Sequence, residues 1–338
     1  MDLSRFAFAR PHVLLIEAPG GTGARLALER VLRERGCPLA DSPADADILA
    51  VAGGPLEQFA DRVWEQLPGP RARFDLSDPE YAAAELDGAA GRLRELSRQR
   101  ADAASRRPPL LSESDMDMDM PAGLQMADRE PDRDGLQLDV LHLPWGPALP
   151  WWPAGLVVHS RMQGDVLADA QVSRIGGETP AAGFWLAAAD SVGPARAGAA
   201  ARLDSLTRLL AVAGWEAERL RAQRIRDDLL SAEPPAQTHQ ALRRLHRRVG
   251  RSSTLARMCA GVAGNGGVDV TARYRQWLTD AVAAVDTGAD PPAAAPAEDI
   301  SGLLTELLTG TELSAARLLV ASLDPWLSGA LVSGGRRV

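Results

Sequence analysis

The feature that most constrains this chain is a regular alternation of short apolar runs and helical patterns near its N-terminus. The apolar runs, each the length of a strand, cover residues 12–18, 48–52 and 72–76. Helical patterns over residues 23–35 and 56–67 lie between them and end at a glycine or a proline. A strand–helix–strand–helix–strand order is typical of a parallel sheet with helices packed on it. We therefore expect an N-terminal α/β domain with a parallel sheet.

A glycine-rich turn follows the first strand, in the stretch EAPGGTGAR. Backbone N–H groups at a helix N-terminus can hold a phosphate. A Walker loop ends in Gly-Lys-Ser or Gly-Lys-Thr, whereas here Gly23 is followed by Ala24 and Arg25. Gly21, Gly23 and Leu26 also break the G-x-G-x-x-G spacing of dinucleotide-binding loops. We interpret the turn as a strand–helix joint in which glycine permits close packing.

Two segments without an apolar period divide the rest of the chain. The expected divisions are an α/β domain (1–104), a disordered linker rich in Asp, Met and Pro (105–135), a mostly helical α+β domain (136–288), and a linker with a C-terminal helical pair (289–338). Within them we expect one helix over 80–104, a β-hairpin over 156–177, helices from Ala199 onward, and one helix near 237–263.

Composition and charge exclude several classes of function. A length of 338 residues suffices for two domains with apolar cores. All 37 basic residues are arginine, yet the net charge is −8, which does not predict nucleic-acid binding. The first apolar run is too short for a signal peptide, and no stretch reaches the roughly 18 apolar residues of a membrane span. We expect a cytoplasmic protein without a transmembrane segment.

A few polar and thiol side chains are candidates for chemistry. The only cysteines, Cys37 and Cys259, are too few for a disulfide framework, a zinc knuckle or a four-thiolate iron–sulfur site within this chain. We interpret both as packed thiols rather than nucleophiles. His142 and His159 flank a proline-rich bend and are either ordinary strand histidines or a ligand pair or proton relay. We assign no catalytic, cofactor-binding or metal-binding residue from these patterns.

Three further stretches each admit two interpretations. The tryptophans of PWGPALPWW, namely Trp145, Trp151 and Trp152, suit either a core or an interface. The basic run RRLHRRVGR, residues 243–251, is a solvated helix face or a docking site for an acidic partner or anionic lipid. In SDMDMDMP three methionines alternate with three aspartates, as in a low-complexity linker or a metal-binding tether. These residues are Asp115, Met116, Asp117, Met118, Asp119 and Met120.

The stretch SPADADILAVAGG, with a following helix that ends in QLPGP, resembles the cluster-bearing small subunit of complex I. That family is related to the small subunit of nickel–iron hydrogenases. The resemblance covers residues 10–78. The matching residues are Ser42, Pro43, Ala46, Asp47, Val51, Ala52, Gly53, Gln66, Leu67, Pro68 and Pro70.

The second half resembles the neighbouring, quinone-proximal large subunit of complex I, a relative of the hydrogenase large subunit. The likeness lies in the proline-rich bend, in the hairpin after it and in the stretch ERLRAQRIR. The matching residues are Gly146, Pro147, Pro150, Gly155, Gly164, Val166, Ala170, Glu218, Arg219, Ala222, Gln223, Ile225 and Arg226. The resemblance implies that two adjacent subunits of one complex are fused in this chain.

The ligands that the resemblance implies are missing. The glycine turn occupies the place of the family's cluster loop but has no cysteine. Leu149 stands where the large-subunit family has its first quinone-site histidine, and Pro153 or Ala154 stands at the second. The paired C-x-x-C motifs that hold nickel and iron in hydrogenases are also absent. We therefore expect no cofactor.

The resemblance implies a non-catalytic, cofactor-free structural or coupling subunit of a complex I-like or energy-converting-hydrogenase-related ion-translocating complex. Its partners would be complex I-like or antiporter-like membrane subunits, and it would lie on the inner face of the membrane. One alternative is a redox-active NADH–quinone oxidoreductase or hydrogenase-type subunit with cluster ligands from another chain. Another is a metal-handling or assembly accessory that uses the Met/Asp linker.

Overall fold

The structure, a computed structural model, describes residues 10–54, 56–106, 128–131, 134–175, 182–262, 269–290 and 300–323. The N-terminal half contains a three-stranded parallel sheet with β2 in the middle. Its elements are β1 (Val13–Glu17), α1 (Thr22–Arg35), β2 (Ile48–Ala52), α2 (Glu57–Gln66), β3 (Ala72–Leu76), α3 (Ala82–Leu93) and α4 (Leu96–Ser105). The predicted parallel α/β unit is confirmed.

Both faces of this sheet are covered by helices. All five residues of β2 are buried, as expected for a central parallel strand. Because side chains alternate along a strand, Val13 joins a core with α1 and α3, whereas Leu14 and Ile16 join a core with α2. Helix α1 ends as predicted at Gly36, which has a φ of 66° and lets Cys37 N–H donate to a carbonyl of the last turn.

The prediction of a single helix over residues 80–104 is wrong, because the chain forms α3 and α4 with a break at Arg94 and Glu95. The buried side-chain amide of Gln99 explains the direction of α4. Its Oε1 accepts from the N–H of Arg71 at 2.9 Å, and its Nε2 donates to the carbonyl of Arg71 at 3.0 Å. These bonds hold α4 against the residue before β3, a long-range contact that no local pattern reveals.

The second half begins with a four-stranded antiparallel sheet in chain order. Its strands are β4 (Arg129–Pro131), β5 (Gln137–Trp145), β6 (Leu156–Gln163) and β7 (Val166–Arg174). The predicted hairpin is confirmed, with Gly164 at the turn at a φ of 60°. Strand β4 corrects the linker expected over 105–135. It is short and exposed and carries no apolar period, so only its pairing with β5 reveals it. Residues 107–127, with the Met/Asp segment, lie outside the described residues.

Helices complete the second half. They are α5 (Ala182–Val192), α6 (Pro194–Val212), α7 (Glu216–Leu230), α8 (Thr238–Gly250), α9 (Ser253–Cys259), α10 (Val270–Thr287), α11 (Ile300–Leu308) and α12 (Leu313–Leu323). The helical region starts at Ala182 with α5, earlier than the expected Ala199. The sequence did not reveal the start of α6 at Pro194, because this helix is buried on almost all sides and shows no amphipathic period. The prediction of one helix near 237–263 is wrong, because the chain forms α8 and α9 there. The Ser252 hydroxyl accepts from the N–H of Leu255 and so starts α9. The C-terminal helical pair is confirmed as α11 and α12.

Candidate functional site at the seam between the two halves

The glycine turn after β1 packs tightly against the end of β2. The N–H of Ala18 donates to the carbonyl of Ala52 at 2.8 Å. A Cβ on Gly21 would collide with the same carbonyl. Gly53, at a φ of 103°, would place a Cβ 2.5 Å from the Cα of Gly21. The interpretation of the turn as a close-packed joint is therefore confirmed.

The same turn faces the proline-rich bend of the second half. Gly155, at a φ of 68°, lies so close to this turn that a Cβ on it would be 2.8 Å from Cγ of Pro19. The same Cβ would be 2.5 Å from the carbonyl oxygen of Ile175 in its own half. A Cβ on Gly23 would be 3.0 Å from the ring of Phe184 on α5. Glycine on both sides thus permits a side chain of the opposite half to pack directly against the main chain.

Six charged side chains are buried beside this contact, and we call them the seam network. They number three arginines and three carboxylates, and each residue is at most 8% exposed. They come from β1, α1, α6 and α7. The seam network comprises Glu17, Arg25, Glu29, Asp204, Arg208 and Arg226.

Arg25 of α1 is the centre of the seam network. Its guanidinium donates to both carboxylate oxygens of Asp204, at 2.6 and 3.1 Å, and contacts Glu17 and Glu29 at 2.8 Å each. Glu17 also accepts from the hydroxyl of Thr22 at 2.8 Å. A residue of the first helix is therefore tied to α6 by a bidentate ion pair across the seam.

Arg226 of α7 bonds Asp204 within its own half and Glu29 across the seam. Although its side chain is fully buried, it contacts Asp204 at 2.6 Å and Glu29 at 2.9 Å. Arg208 of α6 contacts Glu17 at 3.0 Å. Each half of the molecule therefore supplies both signs of charge, and the charges balance within the network.

Sequence reasoning identified only Arg226 among these six residues, through the resemblance. A local signal was available. Arg25 and Glu29 are four residues apart on α1, as are Asp204 and Arg208 on α6, so each pair occupies one helix face. Such pairs usually lie on solvated faces, and only the tertiary contact shows that these are buried.

The pKa shifts of Arg25, Glu29, Asp204 and Arg226 favour the charged form of each group. Burial disfavours the charged form of Asp204, but Arg25, Arg208 and Arg226 together outweigh burial and hold its pKa well below the ordinary range. Burial likewise disfavours the charged form of Glu29, but the neighbouring Arg25 and Arg226 outweigh burial and lower its pKa. The pKa values of Arg25 and Arg226 are raised by the carboxylates around them, against the effect of burial. The network is thus suited to holding two surfaces together rather than to exchanging protons near pH 7.

A small cavity separates the seam network from the proline-rich bend. Its volume is about 40 Å³, and it is lined on one side by Arg25 and Arg208 and on the other by Leu149, Trp151 and Trp152. A cavity that encloses a benzene ring has about 150 Å³. The space therefore suits a few water molecules and does not enclose an aromatic ring in this conformation.

The residues at the turn do not fit an iron–sulfur cluster. Such clusters need thiolates or, less often, imidazoles. The turn from Ala18 to Gly23 has neither, and the adjacent Glu17 is engaged by Arg25 and Arg208. No chemical step through a cluster follows from this donor set.

The three tryptophans divide between core and seam. Trp145 and Trp152 are buried with ring centroids 6.0 Å apart, and Trp145 Nε1 donates to the hydroxyl of Ser160 at 2.7 Å. Trp151 is half-buried at a φ of 62°, and the guanidinium of Arg219 lies 4.5 Å from its ring centroid. The core interpretation therefore holds for Trp145 and Trp152, whereas the interface interpretation stays a prediction for Trp151.

The other candidate side chains are not brought to the seam network. His142 and His159 are exposed on β5 and β6, opposite Arg161 and Pro144 respectively. In the described parts of the chain no three side chains among His, Cys, Asp and Glu form a group that could hold a metal. No helix in those parts is both long and apolar enough to cross a bilayer.

Both cysteines have thiols that resist ionisation. Burial raises the pKa of Cys37, more than the nearby Arg35 and Arg10 lower it. Burial also raises the pKa of Cys259 to about 11. Since the thiolate is the reactive form, this supports the interpretation of both as packed thiols.

Comparison with known proteins assigns no family to the chain. It matches no protein-family model, and neither the comparison with curated proteins nor that with solved structures gave a significant match.

Proposed function

We propose that this chain is a non-catalytic structural subunit in which two hydrogenase-like halves are fused and locked together. It would dock, on the inner face of the membrane, onto complex I-like or antiporter-like subunits of an ion-translocating complex. The observation that carries the proposal is the seam network, which lies where the resemblance would put cluster and quinone chemistry.

The arrangement of the two loops supports this proposal. The turn that resembles a cluster loop contacts the bend that resembles a quinone loop, through Pro19 and Gly155. Beside that contact, Arg25, Asp204 and Arg226 fill the interior with paired charges. The chain keeps two adjacent folds in contact and joins them through buried ion pairs. This arrangement suits a scaffold rather than an electron-transfer subunit.

The seam network also supports a mechanical role. A buried charge without its partner is costly, so the pairing of Asp204 with Arg25, and of Glu29 with Arg226, disfavours any shift of one half against the other. The two halves are therefore held in one relative position. A body held in this way transmits a displacement from one partner subunit to another, which is what a coupling subunit requires.

Affinity purification of the tagged full chain from native membranes in mild detergent tests the proposal. We expect polytopic complex I-like or antiporter-like subunits to co-purify at stoichiometric levels, identified by mass spectrometry. We expect the seam variant Asp204→Asn to recover less of them than Asp87→Asn, whose carboxylate pairs with Arg35 at the exposed surface.

Metal analysis of the same material under anaerobic conditions separates the proposal from the redox alternative. Stoichiometric iron with acid-labile sulfide in the purified chain would contradict a cofactor-free role and favour a redox subunit. Recovery of the chain without any polytopic membrane subunit would contradict the docking role.

A further inference from the structure

A groove between α7 and α8 has an apolar floor and an arginine rim. Its volume is about 480 Å³, within the range of small-ligand sites. The floor is formed by Ile225, Ala241 and Leu245. The rim carries Arg221, Arg224, Arg244 and Arg248, all exposed. The chain as a whole is acidic, so this surface is a local reversal of charge.

Helix α8 extends the positive charge beyond the groove. Arg244, Arg247, Arg248 and Arg251 lie three, four and seven residues apart, so they share one side of the helix and continue past its end. The helix has no acidic residue along its length. Its opposite side is buried in the core. The exposed side of the helix therefore presents guanidinium groups without any carboxylate.

A buried carboxylate fixes part of the rim. Glu218 is fully buried, and its Oε1 pairs with both Arg221 and Arg248. Its Oε2 has no hydrogen-bond partner among the described residues. Arg224 and Arg244 have no ion-pair partner there either. One carboxylate thus holds two guanidinium groups at the groove, and the site retains both an excess of positive charge and an acceptor without a donor.

We propose that the groove between α7 and α8 is a docking surface for anionic phospholipid headgroups. Guanidinium groups bind phosphate bidentately, and clusters of four or more basic residues on an amphipathic helix are typical of anionic-lipid binding. The apolar floor suits the glycerol and upper acyl region. This inference goes beyond the proposed function and does not depend on a partner subunit.

The composition of the surface favours lipid over protein or nucleic acid. Cores of protein interfaces are enriched in aromatic residues, whereas this groove, lined by four arginines with Glu218 and Asp228 over apolar side chains, has no aromatic side chain. Single-stranded nucleic acids bind where aromatic rings stack on bases, which the groove does not offer. An apolar floor beneath a phosphate-binding rim matches a phospholipid surface better than either.

Vesicle co-sedimentation of the purified full chain tests the proposal. The probes are phosphatidylcholine vesicles with and without about 30% phosphatidylglycerol, since basic clusters act on anionic lipid. We expect binding only to the anionic vesicles, weaker at high salt. Each arginine at such a surface strengthens binding about fivefold, so the double variant Arg224→Ser, Arg244→Ser should bind about 30-fold more weakly.

The matched control is Arg98→Ser, Arg100→Ser, which removes two exposed arginines of α4 that have no ion-pair partner among the described residues. Circular dichroism and thermal unfolding establish that both variants fold. Equal losses in the two variants, equal binding to neutral vesicles, or tighter binding to duplex DNA than to anionic vesicles would each overturn the proposal. Because no partner subunit is present, these outcomes are independent of the co-purification result.

Discussion

Neutralising Asp204 is the sharpest perturbation of the seam network. The substitution Asp204→Asn keeps the shape of the side chain and removes one charge at a site that is 1% exposed. Arg25 and Arg226 both depend on this carboxylate, at 2.6 Å each. After the substitution, the three arginines of the network face two carboxylates instead of three.

The expected cost is large because the remaining charge is buried. Removing one partner of a buried ion pair lowers the free energy of unfolding by about 3–5 kcal/mol. For a chain of this size, that loss lowers Tm by roughly 4–7 °C. The matched control is Asp87→Asn, because Asp87 pairs with Arg35 while its side chain is 66% exposed. An exposed pair contributes at most about 1 kcal/mol, so the control should unfold near the wild-type temperature.

The pH dependence gives a second test of the same reasoning. The pKa of Asp204 in the folded chain lies below its unfolded value of about 3.9. Its stabilising contribution is therefore complete above about pH 5 and is lost as the pH falls below 4. Urea unfolding should show a wide gap between wild type and Asp204→Asn at pH 7 that narrows towards acid pH. Equal stabilities of the two Asp→Asn variants at pH 7 would refute the reasoning.

Three further changes test the packing around the seam. Gly21→Ala should lower the free energy of unfolding in urea titrations by about 2 kcal/mol or more, the scale of overpacking, because its Cβ collides with the main chain at the end of β2. The control is Gly54→Ala, which has open space around it, and similar free energies of unfolding for both variants would contradict this reasoning. Ser160→Ala leaves the buried Nε1 of Trp145 without an acceptor and should cost about 1–3 kcal/mol by thermal unfolding, and a neutral effect would argue against that hydrogen bond. Burial raises the pKa of Cys259 to about 11, so disulfide-exchange labelling of the native chain should spare this thiol at pH 8 and become faster only as the pH approaches 11. Fast labelling at pH 8 would show that this thiol is not buried.

The N-terminal unit was predictable because its information is local. A strand buried on both faces reads as an unbroken apolar run, as Ile48–Ala52 does. A helix that ends in a left-handed residue favours glycine, as at Gly36. The hairpin at Gly164 follows the same rule. In each case a few neighbouring residues carry the energetic preference, so the sequence alone places the element.

The errors arose where structure depends on distant residues. Strand β4 carries charged residues and exists through its pairing with Gln137–Trp145. Helix α4 turns away from α3 because the amide of Gln99 bonds the main chain of Arg71. Helix α6 is buried on almost all sides and shows no amphipathic period, so the sequence did not reveal where it starts. None of these features has a periodic signal of its own.

The sequence by itself determined the order of strands and helices from β1 to β3, their parallel sheet, the hairpin and the absence of thiolates at the glycine turn. Only the tertiary structure decided that the two halves meet through buried charges. Arg25 and Asp204 are 179 residues apart, and each looks like half of an ordinary helix-surface ion pair. Local spacing fixes which face of a helix a charge occupies, but only the packing of the two halves decides whether that face meets water or an opposite charge.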